Sequence, residues 1–290
     1  MPHMLKNTLS NILSSDELSQ VYSAFDQIGD IIVVKIPDDL MPKKKLIADM
    51  ILTHVKTAKV VFAQVSPVKG DYRVRNLEFV AGENKTITEY KEHGCRFKVD
   101  VAKTYFSPRL STERLRIANM VREGETIVNM FAGVGTYSIL MAKVNKRCKV
   151  FSIDSNVVAA ELCEENARLN KVGDRVVSIH GDAAKVIQNE LAGQADRVLM
   201  PLPERAKEFI DSAALALNKK GIVHYFSHIR ADSKKTSQEL GLHDAQDAFS
   251  KYDHIVQHVK VIRGVGPKIY QIVADVSVKT SPSFPLPLAQ

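Results

Sequence analysis

The sequence has few cysteines and no long apolar run. Its 290 residues include three cysteines, Cys95, Cys148 and Cys163, without the paired spacing that is typical of metal sites. An odd and sparse count argues against a disulfide scaffold and favours a reducing compartment. No apolar segment approaches the roughly 20 residues of a transmembrane helix, and no signal peptide is visible. We therefore expect a cytoplasmic protein with no membrane partner and no bound metal.

Internal repeats and low-complexity tracts are also absent, so the composition is that of an ordinary globular protein. Hydrophobic residues make up 45% of the chain, which is enough for a full core in one or two domains. The formal net charge is +7 at pH 7, which is compatible with a polyanionic partner. Many soluble proteins are basic, so the charge alone does not identify that partner.

The spacing of apolar residues changes near residue 106. Residues 1–20 are a polar lead-in. Residues 21–105 predict a small α+β domain that includes a strand over Ile28–Pro37 and a helix over Pro42–Val55. In residues 106–290 strands and helices alternate, and two apolar runs close the chain. This alternation predicts a doubly wound parallel sheet with an antiparallel pair at one edge.

Glycines and acids follow three successive predicted strands of the second half. Gly133 and Gly135 lie where a strand passes into a helix, and such glycines let the backbone approach a ligand. Asp154 ends the next strand, about 20 residues later, where Rossmann-like sites place a ribose-binding acid. Asp182 follows the third strand. The glycine pair alone fits a structural turn and Asp154 alone fits a helix N-cap, but together these residues favour a nucleoside ligand.

A third glycine is missing from the place where a dinucleotide pyrophosphate requires one. This absence favours a nucleoside without phosphates. S-adenosylmethionine is such a ligand.

The fourth predicted strand ends in Pro201-Leu202-Pro203. Proline donates no hydrogen bond to a sheet, so the simplest interpretation is a strand terminator. The alternative is a rigid lip whose carbonyl oxygens accept an N–H from a planar base in the crevice. The residues alone leave both interpretations open.

A loop that enters a helix, Ser-Pro-Arg-Leu-Ser-Thr-Glu, joins the two predicted domains. Ser111 or Thr112 is a possible N-cap of this helix. Glu113 is then a first-turn acid that complements the helix dipole, and Arg114 and Arg116 form a solvated basic face. Because the helix leads into the glycine turn, Glu113 is also a candidate for a carboxylate that faces the ligand.

Several segments together resemble the archaeal and eukaryotic tRNA guanine-37 N1-methyltransferase family, from about residue 21 to residue 280. The likeness rests on E-H-G-C, Y-F-S-P-R-L-x-x-E-R, N-M-F-A-G-V-G, P-L-P and the closing G-P-K-I-Y. It implies a class I, Rossmann-like methyltransferase domain that uses S-adenosylmethionine, preceded by a smaller RNA-side domain. It also implies methylation at N1 of guanosine 37 in a tRNA partner.

The resemblance implies roles for individual residues. Glu113 is similar to the general base that takes the N1 proton, which matters because protonated guanine N1 is a poor nucleophile. Arg73 is similar to the residue that stabilises negative charge on O6. Arg75 lies only two residues further along the sequence and is the alternative candidate for that role. Pro201 and Pro203 correspond to the lip beside the reacting groups. Further substrate positions are Tyr105 and Arg109, and the cofactor positions are Arg114, Phe131, Gly133, Gly135, Asp154, Ser155, Asp182, Ala183 and Pro201.

Three departures from the family pattern affect what the resemblance implies. Many members have Asn-Leu-Pro in place of Pro201-Leu202-Pro203, and Pro-Leu-Pro occurs in a branch that also methylates a tricyclic wyosine precursor at carbon. Asn129 stands where methyltransferases often have an acid. Only about 20 residues precede the RNA-side domain, so we expect the further N-terminal domain of many members to be missing.

Two other functions remain open. A wyosine-pathway aminocarboxypropyl transferase shares much of the pattern and the same donor, and the mass of the product distinguishes it. A non-catalytic RNA-binding module would not bind the donor. We expect the protein to be a monomer.

Overall fold

A computed structural model of the chain describes residues 12–21, 25–65 and 76–280, together with residues 6, 9 and 10. The chain divides into two compact units, Met1–Ser111 and Thr112–Gln290. The sequence-based division into residues 1–20, 21–105 and 106–290 stays a prediction.

The first unit contains a four-stranded sheet and a separate hairpin. The sheet order is β1-β2-β3-β4, with β2 and β3 parallel and the other neighbours antiparallel. Helix α2 packs its apolar side, which includes Ile47 and Ile51, against the buried residues Ile32 and Val61 of the sheet. The elements are α1 (Ser15–Gln20), β1 (Asp26–Ile28), β2 (Ile31–Val34), α2 (Lys44–His54), β3 (Val60–Gln64), β4 (Leu77–Gly82), β5 (Ile87–Glu92) and β6 (Cys95–Asp100).

The strand expected over Ile28–Pro37 is wrong in its bounds, because the chain reverses at Gly29. This glycine has a φ of +58°, and a Cβ there would lie 2.2 Å from Thr88 Oγ1 and 2.3 Å from the Glu89 carbonyl oxygen. Only glycine fits such a turn without strain. Two strands, β1 and β2, therefore pair antiparallel where the sequence indicated one.

The second unit is a seven-stranded sheet with helices on both faces. The strand order is β12-β13-β11-β10-β7-β8-β9. The strands from β11 to β9 run parallel, whereas β13 pairs antiparallel with both β11 and β12. The elements are α3 (Ser111–Met120), β7 (Thr126–Asn129), α4 (Thr136–Val144), β8 (Lys149–Asp154), α5 (Val157–Leu169), β9 (Val176–His180), α6 (Ala183–Val186), β10 (Ala195–Met200), α7 (Ile210–Ala216), β11 (Leu217–Arg230), α8 (Lys234–Ala248), β12 (Asp253–Gly266) and β13 (Ile269–Lys279).

This topology confirms the doubly wound α/β sheet with an antiparallel pair at one edge. The chain passes from β7 outward to β8 and β9, then returns to the other side of β7 as β10. The strand order therefore reverses between β7 and β10. In open α/β sheets, ligands bind outside the carboxyl ends of the strands at such a switch point.

The outermost strand, β12, is irregular. Its pairing with β13 shifts register between Val256 and His258, between Val261 and Arg263, and again between Gly264 and Gly266. Ile255, just before the first shift, is 67% exposed.

Among the described residues, no helix combines the length and the apolar character that a transmembrane span requires.

Candidate functional site

The glycine turn lies at the switch point, as the sequence predicts. Strand β7 ends at Asn129, and α4 begins at Thr136. Between them, Gly133 and Gly135 have φ values of +57° and +86°, in the left-handed region that favours glycine. Among the described residues, no side chain caps the N-terminus of helix α4, a position that suits a polar ligand group.

Asp154, the last residue of β8, faces this turn. Its Oδ2 accepts the N–H of Gly133 at 2.7 Å, and its Oδ1 accepts the N–H of Asn156 at 2.9 Å. Burial raises the pKa of Asp154, although these two N–H groups oppose the shift. The N-cap of α5 is Asn156 and not Asp154. A carboxylate has about four acceptor positions, so Asp154 can still accept from ligand hydroxyls.

Gly135 has a packing role that the sequence did not reveal. A Cβ at this position would lie 2.6 Å from Cys163 Sγ on α5 and 3.0 Å from Ile139 Cδ1. The glycine thus lets α4 and α5 approach each other behind the turn. Burial raises the pKa of the Cys163 thiol to about 11, so this cysteine is a packing group and not a nucleophile.

We expect Gly135→Ala to destabilise the chain more than Gly124→Ala. Both glycines have left-handed φ values, +86° and +81°, and alanine there costs about 1–2 kcal/mol. Only at Gly135 does the added methyl meet a packed neighbour, which costs roughly 1–3 kcal/mol more. The free energy of unfolding in urea measures the difference. Equal losses in the two variants would show that the contact with Cys163 relaxes without cost.

Asn129 lies beneath the turn with an unused acceptor. Its side chain is fully buried, and its Nδ2 donates to Ser138 Oγ at 3.1 Å. Its Oδ1 is buried and receives no hydrogen bond from the described residues. A buried acceptor of this kind is costly unless a donor arrives.

The acid after β9 caps a helix. Asp182 is exposed and accepts the N–H of Lys185 at 3.0 Å as the N-cap of α6, and Ala183 is buried behind it. Ser155, after β8, is exposed, and its carbonyl lies 3.2 Å from His180 Nε2. These predicted cofactor residues thus follow the carboxyl ends of β8 and β9, beside the glycine turn.

The Pro201-Leu202-Pro203 segment makes a tight turn directly after β10. The N–H of Leu202 donates to the carbonyl of Met200 at 2.9 Å, the pattern of a γ-turn centred on Pro201. The carbonyl of Leu202 accepts the N–H of Arg205 at 3.1 Å. Within the described residues, no backbone N–H donates to the carbonyl of Pro201 or of Pro203. The segment ends the strand and also carries two free carbonyls, so the two interpretations are compatible.

Phe131 packs next to this segment. Its ring meets that of Phe209 edge to face, with centroids 5.0 Å apart. Phe209 belongs to a short 3₁₀-helix, Ala206–Phe209, that follows the proline turn. The glycine turn and the proline turn are therefore in contact through two aromatic rings.

Glu113 is almost completely buried, with 1% of its surface exposed. Its Oε1 accepts from Arg116, at 2.8 Å from Nε and 2.6 Å from Nη2. Its Oε2 accepts from Lys260 Nζ on β12 at 2.9 Å. Burial of a charge is costly unless it is paired, and Glu113 is buried together with two cationic donors. It is therefore more than a first-turn acid that complements the helix dipole.

Arg116 connects Glu113 to a buried chain of charges across the sheet. It makes a two-pronged ion pair with Asp275 of β13, at 2.6 and 3.0 Å. His224 Nδ1 lies 2.6 Å from Asp275 Oδ1, and His224 Nε2 lies 2.7 Å from Arg197. Arg197 in turn makes a two-pronged ion pair with Glu125, at 2.7 and 3.0 Å, and Glu125 is the last group of this series of charges. Positive and negative groups alternate along this charge chain, with His224 at its centre.

The protonation states in the charge chain follow from burial and partners. Burial lowers the pKa of His224 and outweighs the opposing effect of the hydrogen bond that it donates to Asp275, so the imidazole is neutral. Burial alone would raise the pKa of Asp275, but hydrogen bonds from His224 and Arg116 hold it well below its usual range. The neutral His224 must then donate from Nδ1 to Asp275 and accept at Nε2 from Arg197.

Sequence reasoning missed three residues of this site. Arg116 was expected on a solvated face, but it pairs with the buried carboxylates of Glu113 and Asp275. Neither Asp275 nor Lys260 was singled out. One signal was present, because Asp275 interrupts the apolar run of the last strand, and a buried charge requires a partner. Its partners are far away in sequence and only the fold identifies them.

The other predicted site residues differ in burial. The solvated face expected for Arg114 is wrong, because this residue is buried, with 2% of its surface exposed. In the first unit Tyr105 is half-buried, and the exposed Arg109 pairs with Asp26 at 2.9 Å. Arg73 and Arg75 lie outside the described residues, so the choice between them stays a prediction.

Two sequence profiles match the chain. The TRM5/TYW2 methyltransferase domain matches residues 88–248, and the TYW2 N-terminal domain matches residues 5–86.

Three proteins illustrate the similarity. The chain is 40% identical to tRNA (guanine(37)-N(1))-methyltransferase Trm5b of Pyrococcus abyssi, over 88% of this chain and 75% of the relative. The crystal structure of that Trm5b matches with a TM-score of 0.81 at 38% identity, covering 93% of this chain and 79% of the other. The chain is 33% identical to tRNA 4-demethylwyosine(37)-methyltransferase Taw21 of Saccharolobus solfataricus, over 88% and 94%. The structure of Pyrococcus horikoshii TYW2 in complex with MeSAdo matches with a TM-score of 0.76 at 27% identity, covering 97% and 100%.

These matches agree with the geometry of the switch point, where the glycine turn and the strand-end acid Asp154 lie side by side. The aligned regions include the described strands and helices of both units. The chain belongs to the TRM5/TYW2 methyltransferase family.

Proposed function

We propose that this enzyme transfers the methyl group of S-adenosylmethionine to N1 of guanosine 37 in tRNA. The observation that carries the proposal is the buried carboxylate of Glu113. Glu113 lies near the N-terminus of α3, and the carbonyl of Met120 at the C-terminus of this helix accepts a hydrogen bond from Arg197 in the first half of β10. Glu113 itself contacts Lys260, which pairs with Val273 and through it with Phe226, one residue beyond the partner of Met200 at the end of β10. Glu113 is therefore level with the carboxyl edge of the sheet.

The residues at this edge can hold the donor. Asp154 can accept from ribose hydroxyls, and α4 begins directly after the left-handed Gly135, its N-cap. The donor supplies an electrophilic methyl group on a positively charged sulfur. Arg114, Ser155, Asp182 and Ala183 stay in the proposed donor site on the family resemblance.

Glu113 prepares the acceptor. Guanine N1 carries a proton and is a poor nucleophile until a base removes it, which is worth roughly 10²–10⁴-fold in rate. Removal leaves negative charge on O6, which an arginine can stabilise. By the family resemblance Arg73 or Arg75 supplies that arginine, and Tyr105 and Arg109 contact the substrate. Position 37 lies in a loop, where extrusion of the base costs less than in a duplex.

Product analysis tests the proposal. The full chain is incubated with S-adenosylmethionine and a tRNA transcript that has guanosine at position 37, and the digested nucleosides are analysed by mass. The expected product is 1-methylguanosine, and a transcript with adenosine at position 37 serves as the control. An aminocarboxypropyl adduct, or no modified nucleoside, would contradict the proposal. Sedimentation of the same sample tests the proposed monomer, and the proposed cytoplasmic location requires localisation in cells.

Asp154→Ala should weaken S-adenosylmethionine binding by about 1–3 kcal/mol, because ligand hydroxyls lose a buried acceptor. Isothermal titration calorimetry measures the change. Asp174→Ala is the matched control, since Asp174 is an exposed acid of the same unit that pairs with its sequence neighbour Arg175. Unchanged affinity in Asp154→Ala would remove this residue from the donor site.

A second candidate function is methylation of a tricyclic wyosine precursor at carbon. Two observations favour it: the Pro201 turn carries no side-chain amide, and Taw21, a 4-demethylwyosine methyltransferase, matches this chain over 94% of its own length. A turn without a polar side chain leaves room for a larger base.

Pro201→Asn should reduce carbon methylation of the tricyclic base more than guanosine-37 methylation. The longer polar side chain narrows the pocket and offers a hydrogen bond to the smaller base. The ratio of the two single-turnover rates on matched tRNA substrates measures the effect. Equal losses of both activities would show that the turn serves only to end β10.

A further inference from the structure

The two oxygens of the Glu113 carboxylate are held in different ways. Oε1 accepts from Arg116, which is itself fixed by its two-pronged pair with Asp275. Oε2 accepts from Lys260 alone among the described residues. Arg116 is 21% exposed and Lys260 is 34% exposed. Oε1 is therefore held by a fixed arginine, whereas Oε2 is held by a lysine that is partly exposed to solvent.

The sheet directs Lys260 to this position. Its neighbours Val259 and Val261 are buried in the core, and the carbonyl of Val259 accepts from Gln238 of α8. Lys260 pairs with Val273, which shares a face of β13 with Asp275 because residues two apart point the same way. Lys260 thus lies on the sheet face that carries the charge chain, opposite to the face covered by α8.

The energetic cost of releasing the two cations differs. Arg116 connects two buried carboxylates, and breaking a buried pair of this kind leaves an uncompensated charge. Lys260 has one bond to Glu113, a flexible stem and access to water, so its ammonium can leave Oε2 and be hydrated. A substrate can therefore take the place of Lys260 but not the place of Arg116.

We propose that Oε2 of Glu113 is the oxygen that accepts the guanine N1 proton, and that Lys260 is the positioning residue that holds this oxygen until substrate enters. The inference rests on the proposed function. The N1 proton passes to Oε2, and the N1 electron pair bonds to the methyl carbon, whose bond to the donor sulfur breaks with both electrons left on sulfur. The proton then leaves Oε2 to water, and Lys260 donates to this oxygen again.

The test compares Lys260→Met and Lys260→Arg in the wild-type and Glu113→Gln backgrounds. Single-turnover methyl transfer is measured at saturating tRNA and donor, together with both affinities. We expect Lys260→Met to slow methyl transfer roughly tenfold, the effect of one charge-assisted hydrogen bond, with both affinities nearly unchanged. Lys260→Arg should restore most of the rate. In the Glu113→Gln background, Lys260→Met should cause no further loss, because the lysine acts through the carboxylate.

Lys279→Met is the matched control. This lysine is 70% exposed at the far end of the same hairpin, 3.9 Å from Asp253, and its loss should leave the rate unchanged. An equal Lys260→Met effect in both backgrounds, or a loss of tRNA affinity at an unchanged rate, would overturn the inference and leave the proposed base intact. A wild-type rate in Glu113→Gln alone would overturn the base itself. Unfolding in urea confirms that each variant is folded.

Discussion

Glu113→Gln should slow single-turnover methyl transfer by roughly 10²-fold or more while tRNA and donor binding stay nearly intact. Glutamine keeps the shape of the side chain and an acceptor for one cation, but its amide cannot take a proton from guanine N1. The side chain is buried and bonded to Arg116 and Lys260, so its position is fixed before substrate arrives. Quenched-flow measurement with labelled donor gives the rate, and titrations give the two affinities.

Glu125→Gln is the control for this variant. Glu125 ends the same charge chain but pairs with Arg197 and lies before β7, at the amino edge of the sheet. Its loss should lower stability and leave the methyl-transfer rate almost unchanged. Equal rate losses in the two variants would mean that Glu113 supports the fold and is not the base.

Asp275→Asn should destabilise the chain by about 3–5 kcal/mol at pH 7, the usual cost of breaking a buried ion pair by changing one partner. The change removes the negative charge between Arg116 and His224, in a place with 1% exposure. Arg116 and Arg197 then remain in the protein interior with one fewer carboxylate to neutralise their charges. Urea unfolding monitored by circular dichroism measures the loss.

The same variant has a defined pH dependence. The pKa of Asp275 is lowered in the folded chain, so its stabilising effect is complete above the ordinary aspartate value and is lost as the pH falls toward the folded value. The difference in stability between wild type and Asp275→Asn should therefore be constant near pH 7 and shrink below about pH 4. Asp253→Asn, at an exposed position on β12, should change stability little at any pH. A difference that grows as the pH falls would contradict the assigned charge state.

Local patterns in the sequence are sufficient for the sheet and for one half of the site. Gly133, Asp154 and Pro201 each belong to a short segment in which a strand ends, and that signal needs no knowledge of distant residues. The reversal of strand order then brings these segments together. The error in strand bounds at Gly29 arose because a Gly-Asp turn was hidden within an apolar run.

The other half of the site depends on contacts that are remote in sequence. Lys260 lies 147 residues from Glu113, and Asp275 lies 159 residues from Arg116. Their meeting depends on the position of β12 and β13 at the edge of the sheet, which no local period encodes. An arginine three residues after a glutamate on a helix resembles a surface pair. Only the covering sheet distinguishes the buried case.

The irregular edge strand also bears on how copies of the chain behave at high concentration. A long, flat edge offers a row of unpaired backbone groups on which another strand can add, the usual first step of aggregation. The three register shifts in β12 bend and interrupt that row, even though Ile255 presents an apolar side chain there. The bulges thus protect an edge that pairs with no further strand among the described residues, and Lys260 lies on the short regular stretch between two of them.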